Sequence, residues 1–284
     1  MADKKNSLGG SLKKAGYSAI NGGIPGAIAM VSQILTLMWL RTIMNYQYRY
    51  GMSMRSTVLT LYSQGGITRF YKGLGAALIQ GPLGRFGDTA ANSGTLALLN
   101  DFESTKNLNV GIKTLVASVC AGIFRVFLMP VDTVKTIMQV EGKSGLNILK
   151  MKTRQYGVSV FYYGSVGAAA ATFVGHYPWF FTHNLLEEKL PRVDSFWGKL
   201  GRRGIIGFVA SVVSDTISNS LRVVKTYRQT HSERVSYYQS LKNVIDSEGI
   251  SGVLGRGLKT RILANGLQGC LFTIIWKGIE DKLK

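Results

Sequence analysis

The sequence has too few cysteines and histidines for a disulfide framework or a structural metal site. The two cysteines in 284 residues form no C-x-x-C pair, and both lie in apolar stretches typical of buried thiols. The three histidines are His176, His183 and His231. His176 and His183 are seven residues apart and could share a helix face, but no third ligand accompanies them. We therefore expect no metal site.

The sequence also lacks the motifs of the common enzyme classes. It has no G-x-S-x-G nucleophile elbow, no phosphate-binding P-loop, no H-E-x-x-H zinc motif and no carboxylate pair at catalytic spacing. Each of these motifs brings reactive groups to a spacing that the chemistry requires. We therefore expect that the protein is not an enzyme and uses no cofactor.

Acidic residues are scarce, with 15 Asp and Glu against 34 Lys and Arg, which gives a net charge of +19. The basic residues are spread between apolar stretches, without the basic face interleaved with aromatic residues that nucleic-acid modules present. A nucleic-acid partner is therefore not expected. Anionic phospholipid attracts basic segments at a membrane surface, and an anionic small molecule is a second explanation of the charge. The two explanations can coexist.

Long uninterrupted hydrophobic runs are absent, since no window of 20 residues is free of polar groups. Yet hydrophobic residues make up 46% of the chain, and 34 residues are glycine. Small residues let membrane helices pack closely, and polar groups in such helices are expected where they line a water-filled cavity. A hydropathy scan should then miss some of the spans. The first residues show neither a signal-peptide core nor a long arginine-rich presequence, so we expect internal targeting.

What the sequence does contain is a threefold repetition of two short blocks. The first block is clearest at 130–139, PVDTVKTIMQ, where Lys135 lies 94 residues after Arg41 and 90 before Lys225. The segments that follow these cations are similar, as KTIMQ, RTIMN and KTYRQ show. The second block reads GGITRFYKG at 65–73, YGVSVFYYG at 156–164 and EGISGVLGRG at 248–257. Two blocks in fixed order, three times over, indicate three structural repeats.

These blocks resemble the signatures of the mitochondrial carrier family. That family carries P-x-(D/E)-x-x-(K/R) at the end of each odd-numbered helix and (E/D)-G-x-x-x-x-aromatic-(K/R)-G before each even-numbered helix. The resemblance covers nearly the whole chain, although only the middle copy has a complete first block (Pro130, Asp132, Lys135 and Gln139). Only the first copy ends its second block as expected (Tyr71, Lys72 and Gly73).

The resemblance implies an all-α membrane protein with six transmembrane helices in three pseudo-threefold repeats. A single transmembrane domain, 1–284, would contain repeats at about 15–101, 108–190 and 196–284. The six helices are expected at about 17–48, 73–101, 110–140, 164–190, 197–230 and 257–282. Short amphipathic helices at 53–64, 146–155 and 237–248 would lie at the matrix side. The implied location is the inner mitochondrial membrane, with the lipid cardiolipin bound at the glycines that close the second blocks: Gly73, Gly164 and Gly257.

The resemblance also implies a matrix-side gate, in which the acid of one repeat's first block pairs with the cation of the next. The cationic positions are Arg41, Lys135 and Lys225, and the acidic positions are Met38, Asp132 and Arg222. We predict that Asp132 pairs with Lys225 and that Lys135 and Arg41 have no acid. Four cations and one anion would then share the ring, which water, an anion or another protein must neutralise.

Other family positions are altered to different degrees. The polar brace positions, Asn45, Gln139 and Gln229, could still hydrogen-bond across the ring. Pro130 keeps the kink position, whereas Thr36 and Ser220 replace proline and predict straighter first and fifth helices. The opposite gate lacks its usual charges and would be weak, with hydrogen bonds such as Ser93 to Glu187 or Asn184 to Glu280.

The substrate contacts of the family lie on the even-numbered helices, and most of the matching positions here are uncharged. The candidate substrate-binding residues are Gln80, Arg85, Asp88, Thr172, His176 and Asn265. Arg85 and Asp88 are three residues apart on one helix, so pairing with each other is favoured over direct substrate contact. For His176, a structural hydrogen bond is favoured over substrate binding.

Two functions remain open at this point. The first is alternating-access transport of a small, anionic metabolite across the inner mitochondrial membrane. The second is a transport-inactive subunit with the carrier fold, which would bind partner proteins in a larger membrane complex. The retained cations, glycines and braces favour transport, whereas the single acid of the matrix ring and the uncharged contact positions favour the second function.

Overall fold

The structure is a computed structural model that describes residues 8–283, except for the side chains of 272–283, of Val110 and Cys270, and of most residues before Met30. Its described residues form α-helices and short 3-10 turns, in agreement with the expected all-α class. The α-helices are α1 (Leu8–Tyr50), α2 (Met54–Ser63), α3 (Ile67–Phe70), α4 (Leu74–Asp101), α5 (Glu103–Lys106), α6 (Val110–Phe127), α7 (Met129–Glu141), α8 (Gly145–Tyr156), α9 (Ser165–Lys189), α10 (Phe196–Thr230), α11 (Tyr237–Gly255) and α12 (Leu258–Leu283).

The expected third span, 110–140, is broken in the structure. The helices α6 and α7 meet at Leu128, and the segments 111–127 and 129–156, the second of which also contains α8, form an angle of 66°. Pro130 lies in the first turn of α7, where it has no backbone N–H to donate and its ring excludes a straight continuation. By contrast, α1 runs unbroken through Thr36, whose Oγ1 donates to the carbonyl oxygen of Ser32 at 2.8 Å, and α10 runs unbroken through Ser220. The predicted difference between the kinked helix and the two straighter ones is therefore present.

Within the described residues, two helical segments are long and apolar enough to cross a membrane, Val158–Lys189 and Phe196–Thr230. The bent pair 111–127 and 129–156 is a third if it counts as one span. The helices α1 and α4 also exceed the roughly 20 residues that a bilayer core requires. Their polar side chains line a cavity, which explains why hydropathy alone detects only part of the bundle.

The glycines that close the second blocks arrange the three repeats in a ring. Each one directly precedes the second long helix of its own repeat, which is α4, α9 or α12. Each also packs against a helix of the next repeat in the ring, which is α7, α10 or α1 respectively. A Cβ atom would lie 3.1 Å from the carbonyl oxygen of Lys135 at Gly73, 3.1 Å from Cε of Lys225 at Gly164, and 3.2 Å from the carbonyl oxygen of Met44 at Gly257. The third repeat therefore closes on the first.

Three buried cations reinforce the same ring at the C-terminal ends of α1, α7 and α10. Each donates hydrogen bonds to carbonyl oxygens at the C-terminal end of a helix in the next repeat, which is α7, α10 or α1. The helix dipole is negative at that end. The bonds run from Arg69 to Gln139 (2.8 Å) and Val140 (2.6 Å), from Lys152 to His231 (2.7 Å) and Gln229 (3.4 Å), and from Arg256 to Arg49 (3.3 Å) and Tyr48 (3.5 Å). These cations occupy different positions in their repeats, so sequence alignment of the blocks did not find them.

Replacing Arg69 by Met should destabilise the protein by about 1.5–3 kcal/mol, the range for hydrogen bonds to charged groups. The guanidinium is 4% exposed and holds two carbonyl oxygens that otherwise remain unpaired. The free energy of unfolding in mild detergent measures the effect. The matched control is Arg55→Met, at an exposed position of the same repeat. Equal stability of the two variants would contradict a locking role for Arg69.

Candidate functional site

A cavity of about 370 Å³ lies along the centre of the bundle. Its volume falls at the small end of the range for small-molecule sites. Seven cationic side chains and two carboxylates line it, so the lining carries a formal charge of +5. The cations are Arg41, Arg85, Arg125, Lys135, Arg222, Lys225 and Arg261, and the carboxylates are Asp88 and Asp132. Low-dielectric walls focus the field of such charges and attract anions.

One end of the cavity is closed by ion pairs around Asp132. Its two oxygens lie 2.6 Å from Nζ of Lys225 and 2.6 Å from Nζ of Lys135. The predicted contact between Asp132 and Lys225 is therefore present. The expectation that Lys135 has no acid is wrong, because Asp132 lies three residues before it on α7 and each carboxylate oxygen accepts from a different lysine.

Polar side chains complete this closed end. Lys135 also donates a hydrogen bond to Oε1 of Gln80 at 2.8 Å. Gln80 is a candidate substrate-binding residue, and its side-chain oxygen already has a partner in this state. Asn45 donates to Oε1 of Gln139 at 2.6 Å, so this brace joins the first and second repeats. Gln229 donates to Oγ1 of Thr133 at 2.8 Å and joins the third to the second. The function of these residues as gate and brace remains a prediction.

The two altered acidic positions have different surroundings. Met38 is fully buried in an apolar cluster with Ile34 and Ala77 of its own repeat, so hydrophobic packing takes the place of a charge at this acidic position. Arg222 faces the cavity, and its Nε donates to Oγ of Ser218 at 3.3 Å. The junction of the third and first repeats therefore has cations on both sides.

The expected pairing of Arg85 with Asp88 is wrong. Asp88 is paired with Arg125, which reaches it from the last turn of α6 and makes a two-pronged contact through Nε and Nη2. The bond from Nε to Oδ1 measures 3.1 Å. Spacing on one helix could not anticipate a partner on a neighbouring helix. Arg85 lines the cavity and has no carboxylate partner among the described side chains.

The remaining substrate candidates have mostly local bonds. His176 shares a hydrogen bond of 2.7 Å between its Nδ1 and Oγ of Ser118, as the structural interpretation expects. Thr172 donates to the carbonyl oxygen of Ala168 within its own helix. Asn265 donates from Nδ2 to a carboxylate oxygen of Asp215. All three residues line the cavity.

Sequence reasoning missed a second buried ion pair beside the cavity. Asp215 on α10 lies 2.6 Å from Nε of Arg261 on α12, and its side chain is 7% exposed. Asp215 and Arg125 both lie ten residues before the cation of their repeat, Lys225 and Lys135 respectively. Extending the repeat alignment one helical segment upstream could therefore have found both residues.

The opposite end of the bundle has a different arrangement from the one expected. Glu187 forms an ion pair of 2.6 Å with Arg202 at the start of α10, so the suggested bond to Ser93 is not present. The position of Glu280 lies outside the described side chains, and the suggested bond from Asn184 lies outside them with it.

Together, the helical bundle and its central charged cavity define a polytopic membrane protein with the architecture of a solute carrier. A family model described as "Mitochondrial carrier protein" matches residues 108–193 and 196–281. Each match is 86 residues long, so together they cover 172 of the 284 residues. The chain therefore belongs to the mitochondrial carrier protein family, whose members transport metabolites across mitochondrial membranes. A search of curated proteins gives no match.

Proposed function

We propose that the protein transports a small anionic metabolite across the inner mitochondrial membrane by alternating access. The observation that carries this proposal is the charge of the cavity, where seven cations face two carboxylates. Three of the cations, Arg41, Arg85 and Arg222, have no carboxylate partner among the described side chains. Guanidinium groups bind carboxylate and phosphate through parallel hydrogen bonds.

The closed end supplies a mechanism for coupling substrate binding to opening. Asp132 holds Lys135 and Lys225 together. An anion that enters the cavity competes with Asp132 for the same ammonium groups, and it can shift the equilibrium only if it binds the open state more tightly than the closed one. Lys135 and Lys225 would then serve as both gate and substrate contacts, with Gln80 released when Lys135 moves.

The threefold arrangement supports one carrier domain over 1–284, with repeats at about 15–101, 108–190 and 196–284. The family matches fall on the second and third of these. The packing of Gly257 against Met44 supports assigning the preceding segment as the first repeat. Anionic phospholipid, cardiolipin in particular, is proposed to bind at the helix starts after Gly73, Gly164 and Gly257. A cleft of about 380 Å³ beside Gly257, lined by Gly51, Ser53 and Lys259 among others, supports such a site.

A transport-inactive role as a subunit of a membrane complex is the second candidate. The observation in its favour is that Asp132 is the single acid at the three gate positions. Asp132 nevertheless pairs with two lysines at once, which leaves a net charge of +1, and Met38 is packed without charge. Both lysines of the closed end thus have an acidic partner although the gate positions hold a single acid. Co-purification of a stoichiometric partner in mild detergent, together with no transport by the isolated chain, would favour this role.

Uptake into liposomes should distinguish anions from cations. Purified protein should move at least one member of a panel of phosphate, dicarboxylates and nucleotides, and should not move arginine or lysine, because the +5 lining repels them. Replacing Arg85 by Gln should slow uptake of the transported anion without lowering the unfolding temperature. The matched control is Arg154→Gln, at an exposed position on α8. Transport of a basic amino acid at a rate unaffected by the Arg85 variant would contradict the proposal.

A further inference from the structure

We infer that the anion is held off the central axis, between Arg41, Arg222 and Arg261, and that the group held there is a phosphate. The inference rests on the proposed function, which names Lys135 and Lys225 as contacts during opening but leaves open the class of anion and the position where it is held before opening. It concerns the junction between the third and first repeats, where Arg222 stands at the position that Asp132 occupies in the second repeat.

The symmetry of the ring places Arg222 opposite Arg41. Asp132 of the second repeat reaches Lys225 of the third. Residue 222 is the counterpart of Asp132, lying three residues before the repeat cation, and the next repeat in the ring is the first, whose cation is Arg41. The closing of the ring through Gly257 and Met44 confirms that these repeats are neighbours. The junction between the second and third repeats contains an ion pair. The equivalent junction between the third and first repeats therefore contains two guanidinium groups.

Arg261 adds a third guanidinium to this junction. It enters from α12, four residues after Gly257, and its side chain lines the same cavity as Arg41 and Arg222. Asp215 is the carboxylate paired with it, and that carboxylate also accepts a hydrogen bond from Asn265. Three guanidinium groups and one carboxylate leave a charge of +2 at the junction.

The neutral contacts of Arg41 and Arg222 leave most of their donors available. Arg41 donates to Oε1 of Gln268 at 3.4 Å and to the sulfur of Met30 at 3.6 Å, and Arg222 donates to Oγ of Ser218 at 3.3 Å. These are long contacts to uncharged acceptors, whereas charge-assisted bonds to an anion are shorter and stronger. Each guanidinium carries five N–H donors, so the junction has a surplus of donors and a deficit of negative charge.

A phosphate group supplies both the acceptor oxygens and the negative charge that the junction lacks, and it does so better than a single carboxylate. A phosphomonoester carries a charge of about −1.5 to −2 near neutral pH and three acceptor oxygens, which match a +2 junction with three guanidinium groups. A lone carboxylate offers two oxygens and one charge, so it leaves one guanidinium without a partner. The bound phosphate would also supply the counter-charge that residue 222 lacks.

The test measures the unfolding temperature of the full chain in mild detergent with saturating cardiolipin. Increasing concentrations of inorganic phosphate, glycerol phosphate or succinate are added. Both phosphate compounds should raise the unfolding temperature more than succinate at equal concentration. Arg222→Gln should weaken the apparent phosphate affinity by about 10-fold or more, the effect of losing a charge-assisted hydrogen bond. Arg203→Gln, at an exposed position of the same helix, should leave the affinity unchanged.

A second variant, Arg222→Asp, keeps the test informative if charge removal disturbs the fold. It places a carboxylate opposite Arg41 and should stabilise the protein without ligand while abolishing the response to phosphate.

Stabilisation by succinate equal to that by phosphate would overturn the phosphate assignment but leave anion transport intact. Phosphate binding undiminished in both Arg222 variants would overturn the off-axis site. A shift produced by cardiolipin alone and lost in Arg222→Asp would assign the phosphate group to lipid and overturn a free phosphate substrate. If liposome uptake shows movement of cationic solutes only, the proposed function itself fails.

Discussion

Replacing Asp132 by Asn should destabilise the protein by about 3–5 kcal/mol, the usual cost of removing one partner from a buried ion pair. The carboxylate is 11% exposed and is shared by Lys135 and Lys225. Without it, two ammonium groups face each other across the closed end of the cavity with no opposing charge nearby. The free energy of unfolding in mild detergent measures the loss, and liposome uptake should fall to background because the proposed gate would no longer close.

The double variant Asp132→Asn with Lys225→Gln separates a charge effect from a packing effect. If repulsion between the lysines causes the loss, removing one of them should recover a large part of the stability. Glu103→Gln is a suitable control, because it breaks a solvent-exposed pair with Lys106 whose contribution should be too small to detect. Full stability of the Asp132 variant would show that the ion pairs at the closed end contribute nothing to the fold.

The architecture was predictable because it depends on repetition. A block that recurs after 94 and then 90 residues must occupy equivalent places in a ring of repeats, and the glycines Gly73, Gly164 and Gly257 do precede equivalent helices. The break between α6 and α7 was underestimated. Pro130 predicts a kink within one helix, whereas the chain forms two helices there, with an angle of 66° between the segments 111–127 and 129–156.

The partners of the charged residues were less predictable than their positions. An i, i+3 spacing brought Arg85 and Asp88 to one helix face, yet Asp88 binds Arg125 on the neighbouring helix. Contacts between helices depend on rotation and separation, which one sequence does not specify. The same limit explains why the shared pairing of Asp132 and the pair of Asp215 with Arg261 emerged only from the structure.

The buried cations at the ends of α1, α7 and α10 illustrate a different limit. Arg69, Lys152 and Arg256 perform the same task in the three repeats, but they lie 4, 12 and 1 residues before the closing glycine. The helix ends that they hold are equivalent, because the unpaired carbonyl oxygens of any helix end attract a cation. A cation at the helix end is thus found in all three repeats of the structure, but it comes from a different sequence position in each. Aligning the repeats therefore does not detect these cations.

Replacing Asp215 by Asn should have the second large effect, again about 3–5 kcal/mol of lost stability. The side chain is 7% exposed, and its loss leaves Arg261 unpaired beside Arg41 and Arg222. Phosphate should then stabilise this variant by more than it stabilises the unmodified protein, because the junction charge rises from +2 to +3 and any ligand selective for the folded state shifts its stability by mass action. Unfolding temperatures with and without phosphate measure both effects.

The double variant Asp215→Asn with Arg261→Gln returns the charge to +2 and should recover part of the stability while losing the additional response to phosphate. A response to phosphate that is smaller in Asp215→Asn than in the unmodified protein would mean that Asp215 orders the arginines for the anion, and that their charge alone does not attract it.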